Sequence, residues 1–172
     1  MRTEQDMGEG KINSRAKGQR FERHIAGILS ELWPHAKRGF QGRSGSDAPD
    51  VDGTPWWVEC KHGAAVSIVA AYDQATKATR GREVLVIARA NRGPILAVVN
   101  LAVFDHYYPE PVRRRANVLT CSVRIPTQVA ALKLPGATLG ILEHDKHPPL
   151  AVMQLTDWME LERARYEQAN AI

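Results

Sequence analysis

Pro49-Asp50-Val51 is followed, nine residues beyond the aspartate, by Glu59-Cys60-Lys61. The spacing suits a short hairpin that brings two acids and an amine together. Asp52-Gly53 supplies its turn, because glycine accepts the positive φ that tight loops need. Val58 to Lys61 reads as a strand, on which side chains two apart share a face. Glu59 and Lys61 then point one way and Val58 and Cys60 the other. With Asp50 ending the preceding strand, its carboxylate can lie beside Glu59. Two hard oxygen donors side by side suit Mg²⁺ or Mn²⁺, which prefer carboxylates and water to thiolates or imidazoles. An adjacent ammonium can orient a water or offset charge on a phosphoryl group, the equipment of a metal-dependent phosphodiesterase. Acid-x-Lys pairs on strands are more often solvated ion pairs, so the surrounding chain has to decide.

The elements that must position these groups are legible in outline. Residues 1–13 are polar and read as a flexible N-terminal arm. Ser14 to Trp33 reads as a helix, with Phe21, Ile25, Ile28, Leu29 and Leu32 at helical spacing and Pro34 as its stop. Glu22 borders this apolar stripe on the side of Arg15 and Gly18, where an exposed helix acid is the commoner reading. Glycine inside a helix costs about 1 kcal/mol against alanine, so Gly18 marks a place where something comes close. Residues 36–45 read as a short strand entering a Gly/Ser loop, in which Arg43, Ser44 and backbone amides can hold phosphates.

Beyond the hairpin, Ala64 to Thr79 is alanine-rich and reads as a helix stopped at Gly81. Val84 to Ala88 has the continuous apolar character of a strand buried on both faces. Ile95 to Val99 is a further strand, joined through Asn91-Arg92-Gly93, and Leu101 to Tyr108 is a short helix ended by Pro109. Glu110 to Gly136, with Arg113, Arg114 and Arg115, reads as an insertion or long excursion. Pro94-Ile95-Leu96-Ala97-Val98 is echoed by Pro148-Pro149-Leu150-Ala151-Val152, which implies a second strand pair followed by a helix from about 157 to 168. The order gives an α/β sandwich with a mixed sheet.

At 172 residues the chain suits one domain. It has no apolar run of the ~20 residues that span a bilayer and no secretory pattern. Cys60 and Cys121 form no CxxC pair and read as the reduced thiols of a cytoplasmic protein. From Val51 to Gly136 bases outnumber acids 11 to 6, and from Ala137 onward acids outnumber bases 6 to 3. A basic front suits a polyanionic partner. There is no GxxxxGK[ST], GxSxG or strand-following GxGxxG, which argues against a nucleotide cofactor and against serine-hydrolase chemistry. Glu143-His144-Asp145-Lys146-His147 falls where a turn is expected and reads as a polar turn rather than a metal cluster.

Together these residues resemble the PD-(D/E)XK nuclease superfamily, and more narrowly the archaeal-type Holliday junction resolvases, which also occur in phages. The resemblance runs from Ser14 to Val99. It rests on Lys17-Gly18 with Glu22-Arg23, on Ser44-Gly45-Ser46, and on Pro49-Asp50-Val51 with Glu59-Cys60-Lys61. It implies a restriction-endonuclease-like core over 14–108, a central mixed sheet flanked by helices, with a strand and helix extension over 109–172 on the same domain. It implies Asp50, Glu59 and Glu22 as Mg²⁺ ligands, with Mn²⁺ able to substitute, Lys61 as the catalytic lysine, and Ser46 near the active site. Arg15, Lys17, Arg20, Arg43, Ser44, Lys77, Arg113, Arg114 and Arg115 are the candidate DNA contacts. The resemblance further implies hydrolysis leaving a 5′ phosphate, a four-way junction as substrate, paired symmetric nicks and a homodimer. Candidate dimer faces are the helix around Val66 to Tyr72 and the strands near Val84 to Val99. The family's basic element usually carries two adjacent bases, whereas Ala16 precedes Lys17 here. Flaps, DNA ends or restriction sites are alternative substrates, and a non-catalytic DNA-binding subunit is the alternative of another class.

Overall fold

The computed structural model describes residues 14–40, 48–116, 119–124, 138–144 and 147–171, with backbone alone for 115 and 119–124. Helix α1 (Ser14–Leu29) buries Phe21, Ile25 and Leu29, one residue per turn on a single face. It ends four residues before the expected Trp33. Glu31 and Leu32 donate to the carbonyls three residues back, at 3.2 and 3.1 Å, so the chain tightens into turns before Pro34 is reached.

A three-stranded ribbon follows, made of β1 (Lys37–Arg38), β2 (Val51–Asp52) and β3 (Trp57–Gly63), each pair antiparallel. Two glycines let it close. Gly53 has φ of +82°, and a Cβ there would stand 2.1 Å from the His35 carbonyl oxygen. At Gly39 a Cβ would stand 1.9 Å from the carbonyl oxygen of Pro49. The expected Asp52-Gly53 turn and the strand through Glu59 and Lys61 are both present.

Helix α2 (Ile68–Ala78) carries the chain from β3 to β4 (Val84–Ala90), which lies parallel to β3. It starts four residues later than Ala64 because Ser67 caps it, accepting from the Ala70 amide at 3.3 Å. Val84 through Ala88 are buried, as their continuous apolar run requires. Arg92 turns the chain with φ of +58°, and β5 (Ile95–Asn100) returns antiparallel. Asn100 caps α3 (Leu101–Tyr107) by accepting from Ala102 and Val103.

The stretch expected as an excursion instead begins with regular structure. Pro109 opens α4 (Glu110–Arg115), and β6 (Leu119–Arg124) follows. Proline suits the first turn of a helix, where its missing N–H has no partner to lose. Strands β7 (Thr138–His144) and β8 (His147–Gln154) form a hairpin leading directly into α5 (Leu155–Ala169). The eight strands make one mixed sheet in the order β1-β2-β3-β4-β5-β8-β7-β6. Of the two candidate dimer faces, β4 and β5 are inner strands of the sheet, between β3 and β8, while α2 buries Ile68, Val69, Ala71, Tyr72 and Ala75 and leaves Ala70, Gln74 and Lys77 exposed.

The sequence echo is a two-fold relation. A constant shift of 54 carries the register pairs Val86↔Val98, Ile87↔Ala97 and Ala88↔Leu96 onto Gly140↔Val152, Ile141↔Ala151 and Leu142↔Leu150. The same shift exchanges the pairs Leu96↔Gln154 and Asn100↔Leu150, where the two halves meet along β5 and β8. It takes Phe104 to Trp158 and Tyr108 to Glu162, and the Tyr108 hydroxyl donates to the Glu162 carboxylate. Strand β6 runs parallel to β7 as β3 does to β4, which puts Val123 at the register position of Glu59. The two halves share a frame, and among the described residues the site acids lie in the first half alone.

Apolar side chains fill both faces of the sheet. Ile25, Leu29, Val58, Leu85, Ile87, Phe104 and Trp158 lie on the side of α1, α3 and α5. Trp57, Ile68, Tyr72, Val86, Leu96 and Val98 lie on the side of α2. Among the described residues no helix is long and apolar enough to cross a membrane.

Candidate active site

The site forms where the ribbon meets the body of the sheet. Asp50 lies just before β2, against the middle of β3. Its amide donates to the Val58 carbonyl at 2.8 Å, and its Oδ2 accepts from the Cys60 amide at 2.7 Å. The residue between those two partners is Glu59. Asp50 is 6% exposed and Glu59 7%, so two carboxylates share one secluded place.

That crowding is chemically costly. The Asp50 carboxyl is raised from its ordinary value of 3.8 to about 7, first by burial and next by the charge of Glu59. Glu22 adds to the effect, while the Cys60 amide and Lys61 oppose it. Desolvation and a like charge both disfavour the ionised form. Burial, then Asp50, Glu22 and Glu59, also push the Cys60 thiol well up, which makes it a poor nucleophile.

Lys61 answers Glu59 directly. Its Nζ lies 2.6 Å from Glu59 Oε1 and donates to Gln74 Oε1 of α2 at 3.2 Å. Alternation along β3 explains the placement: Glu59 and Lys61 face α2, whereas His62 meets Phe21 of α1 at 5.0 Å between ring centroids. Glu22, on α1, is held by Arg38 of β1 at 2.6 Å. A Cβ at Gly18 would stand 3.9 Å from Glu22 Oε1, so nothing among the described residues crowds that glycine.

Glu22, Asp50, Glu59 and Lys61 are therefore gathered from α1, the approach to β2 and the middle of β3. Ser46, Arg43 and Ser44 lie outside the described residues, as does the side chain of Arg115. Arg15, Lys17 and Arg20 lie on the first turns of α1, and Lys77 is exposed in the last turn of α2. Arg113 is already engaged: it pairs with Asp105, donates to the Tyr108 carbonyl and covers the Phe104 ring at 4.7 Å. Arg114 pairs with Glu110 one turn away at 2.9 Å. His147 pairs with Asp73 at 2.9 Å and stacks edgewise on His144, while Asp145 and Lys146 lie outside the described residues.

Gln74 and Arg38, which grip the lysine and the helix acid, carry no signal of that role in the sequence. Gln74 shows only once α2 is laid against β3, since 13 residues separate it from Lys61. Arg38 belongs to a basic stretch whose partner, 16 residues earlier, no local pattern marks.

Among the described residues no three His, Cys, Asp or Glu side chains converge tightly enough to hold an ion as they stand. The donor set is nonetheless of the kind Mg²⁺ accepts, since that ion is commonly held by one or two carboxylates and completes its shell with water. Asp50 and Glu59 supply the two carboxylates, and a cation would relieve the repulsion between them. No protein-family model matches the chain, and comparison with curated proteins and with solved structures likewise finds no match.

Proposed function

We propose that this chain is a metal-dependent DNA endonuclease of the PD-(D/E)XK kind that resolves four-way junctions. The observation that carries the chemistry is the placement of Asp50 around Glu59, with Lys61 locked between Glu59 and Gln74. Asp50 and Glu59 would hold Mg²⁺, with Glu22 acting directly or through water. When bound, the ion supplies a Lewis acid for a phosphoryl oxygen and lowers the pKa of water beside it. The protein's own groups do the rest. Asp50 gives up its proton to become a ligand. Gln74 keeps the Lys61 ammonium aimed at the acids, where it can position water or offset charge growing on the phosphate. Arg38 fixes the Glu22 carboxylate at the edge of the site. In-line attack of water on the phosphorus would break the P–O3′ bond, leaving a 3′ hydroxyl and a 5′ phosphate.

The junction as substrate rests on the sequence resemblance. Among the described residues one chain offers one such acidic centre, because Val123 stands in register where Glu59 stands in the first half. Paired nicks across a two-fold junction therefore need two chains. The test is cleavage of a labelled four-way junction, a flap and a linear duplex, with Mg²⁺ or chelator. Paired symmetric nicks near the junction centre, lost in Lys61→Ala and Asp50→Asn, support the reading. Equal cutting of linear duplex overturns the junction assignment. Junction binding without any cleavage in Mg²⁺ points to a non-catalytic DNA-binding subunit.

A further inference from the structure

On the opposite face of β3 from Lys61, two adjoining cavities of about 390 and 580 Å³ share Lys17, His62 and Arg89 in their walls. Lys17, Arg20, Phe21 and His24 project from one side of α1, at the three- and four-residue spacings that keep a helix face together. His62 and Arg89 are register partners on β3 and β4. Arg92 closes the far end from the β4–β5 turn, and Lys17 Nζ ties α1 to that turn through Asn91 Oδ1 at 2.6 Å. Among the described residues no aspartate or glutamate lines either cavity. Elsewhere the described arginines commonly have carboxylate partners, as at positions 38, 113, 114, 163 and 165.

We infer that this cleft is a metal-independent binding site for the phosphate backbone of nucleic acid, formed by Lys17, Arg20, His24, His62, Arg89 and Arg92. Three features support the assignment. Walls of lysine, arginine and imidazole without a lining carboxylate are complementary to a polyanion. Arg92 sits at φ of +58°, a conformation unfavourable to a residue with a Cβ, in a turn that glycine would fill with less strain. The cleft is also too wide for one phosphate and continues along α1, which suits a strand crossing it. Burial and the neighbouring Lys17 and Arg89 charges lower the His62 imidazole, so the site is a cluster whose mutual repulsion an anion would relieve. The choice of nucleic acid among polyanions rests on the nuclease reading. The binding itself does not, because none of the acids lines the cleft: Glu59 and Lys61 face α2, and Glu22, though on α1, is held by Arg38.

The test is fluorescence anisotropy of a labelled four-way junction with the full chain in chelator, across a salt series, followed by cleavage of the same DNA in Mg²⁺. The variants are Arg92→Gly, Arg89→Gln and, as a control, Arg163→Gln, which removes a charge near the other end of α1. Arg92→Gly relieves the backbone while deleting the charge, so folding damage does not account for its loss of binding. Each cleft variant is expected to bind at least about fivefold more weakly at 0.1 M salt, with the slope of log K against log salt reduced by about one per lost contact. Arg163→Gln should bind as wild type does. Such losses without cleavage by any form support the cleft and overturn the nuclease reading. Wild-type binding by both cleft variants, with cleavage intact, overturns the cleft and leaves the nuclease. Equally tight capture of labelled polyglutamate overturns the assignment to nucleic acid.

Discussion

Asp50 brackets Glu59: its amide holds the Val58 carbonyl at 2.8 Å and its carboxylate holds the Cys60 amide at 2.7 Å. Two hydrogen bonds to the neighbours on either side fix one acid against the other. Neither carboxylate can turn away to relieve their repulsion, because Asp50 is pinned by the backbone and Glu59 by Lys61. The site is strained in charge rather than in geometry.

The first consequence is a pH dependence of stability. Asp50 keeps its proton up to about pH 7 in the folded chain, against 3.8 as its ordinary value. Between those values the folded state holds more protons than the unfolded one, so stability falls as pH rises. The contribution is complete below pH 3.8 and lost as pH passes through about 7. It amounts to a few kcal/mol at most, because each tenfold change in proton affinity is worth about 1.4 kcal/mol. Urea denaturation in chelator from about pH 4.5 to 8 should show wild type losing stability relative to Asp50→Asn. Mg²⁺ should restore wild type at the upper end and leave the variant unchanged. Parallel curves would remove the charge-strain account.

The catalytic lysine is testable apart from folding. Lys61→Ala leaves Glu59, 7% exposed, without its nearest cation, and should lower stability by about 1–3 kcal/mol. Lys61→Ala paired with Glu59→Gln removes both charges and should recover much of that stability. Hydrolysis should stay depressed in both, by about 100-fold or more. Recovery of cleavage together with stability would show that neither Lys61 nor Glu59 is needed for the chemistry. Gln74→Ala should cut the rate less, with little change in the melting temperature.

Much of this site is legible in the sequence. The hairpin spacing places Asp50, Glu59 and Lys61 together because strand alternation is a two-residue period that sequence displays directly. The end of α1 and the start of α2 each fall four residues inside the helix that periodicity suggests. Apolar spacing continues through Leu32 where hydrogen bonding has already tightened, and Ser67 caps α2 inside an alanine-rich run that itself favours helix. The segment after Tyr108 reads as an excursion because its three arginines suggest solvent. Instead Arg113 lies across Phe104 and α4 packs beside α5. Register between distant strands leaves no local mark, so the two-fold relation survives in the sequence only as a five-residue echo.

Three glycines separate crowding from conformation. Gly81 has φ of +86° with nothing within 4 Å of where a Cβ would stand, so Gly81→Ala bears only the backbone penalty, about 1 kcal/mol. Gly39→Ala has no positive φ but would drive its methyl into the Pro49 carbonyl, one residue from Asp50. Gly53→Ala meets both penalties, against the carbonyl of His35. Thermal melts should rank the losses Gly81, then Gly39, then Gly53. Gly39→Ala should also weaken metal-dependent cleavage beyond its effect on stability, since the displaced Pro49 carries Asp50 with it. Equal effects of Gly39→Ala and Gly81→Ala on both readouts would sink that coupling.

The last prediction concerns the seam between the two halves. Glu162 is fully buried, accepts from the Tyr108 hydroxyl and pairs with Arg165 at 2.7 Å. Burial raises the Glu162 carboxyl, with Arg165 and Tyr108 opposing it, and burial next to Glu162 raises the Tyr108 hydroxyl. Removing one donor leaves a buried acid short of a partner, so Tyr108→Phe should lower stability by about 1–3 kcal/mol. Arg165→Met should lower it further, by about 3–5 kcal/mol, since it strands the charge itself. Adding Glu162→Gln to Arg165→Met should return part of that loss, because a neutral amide no longer needs the cation. Neither residue of the pair is among the groups gathered at the acidic site, so the Tyr108→Phe variant should cleave at the wild-type rate below its melting temperature. A reduced rate there would mean that the seam also sets the geometry at Asp50 and Glu59.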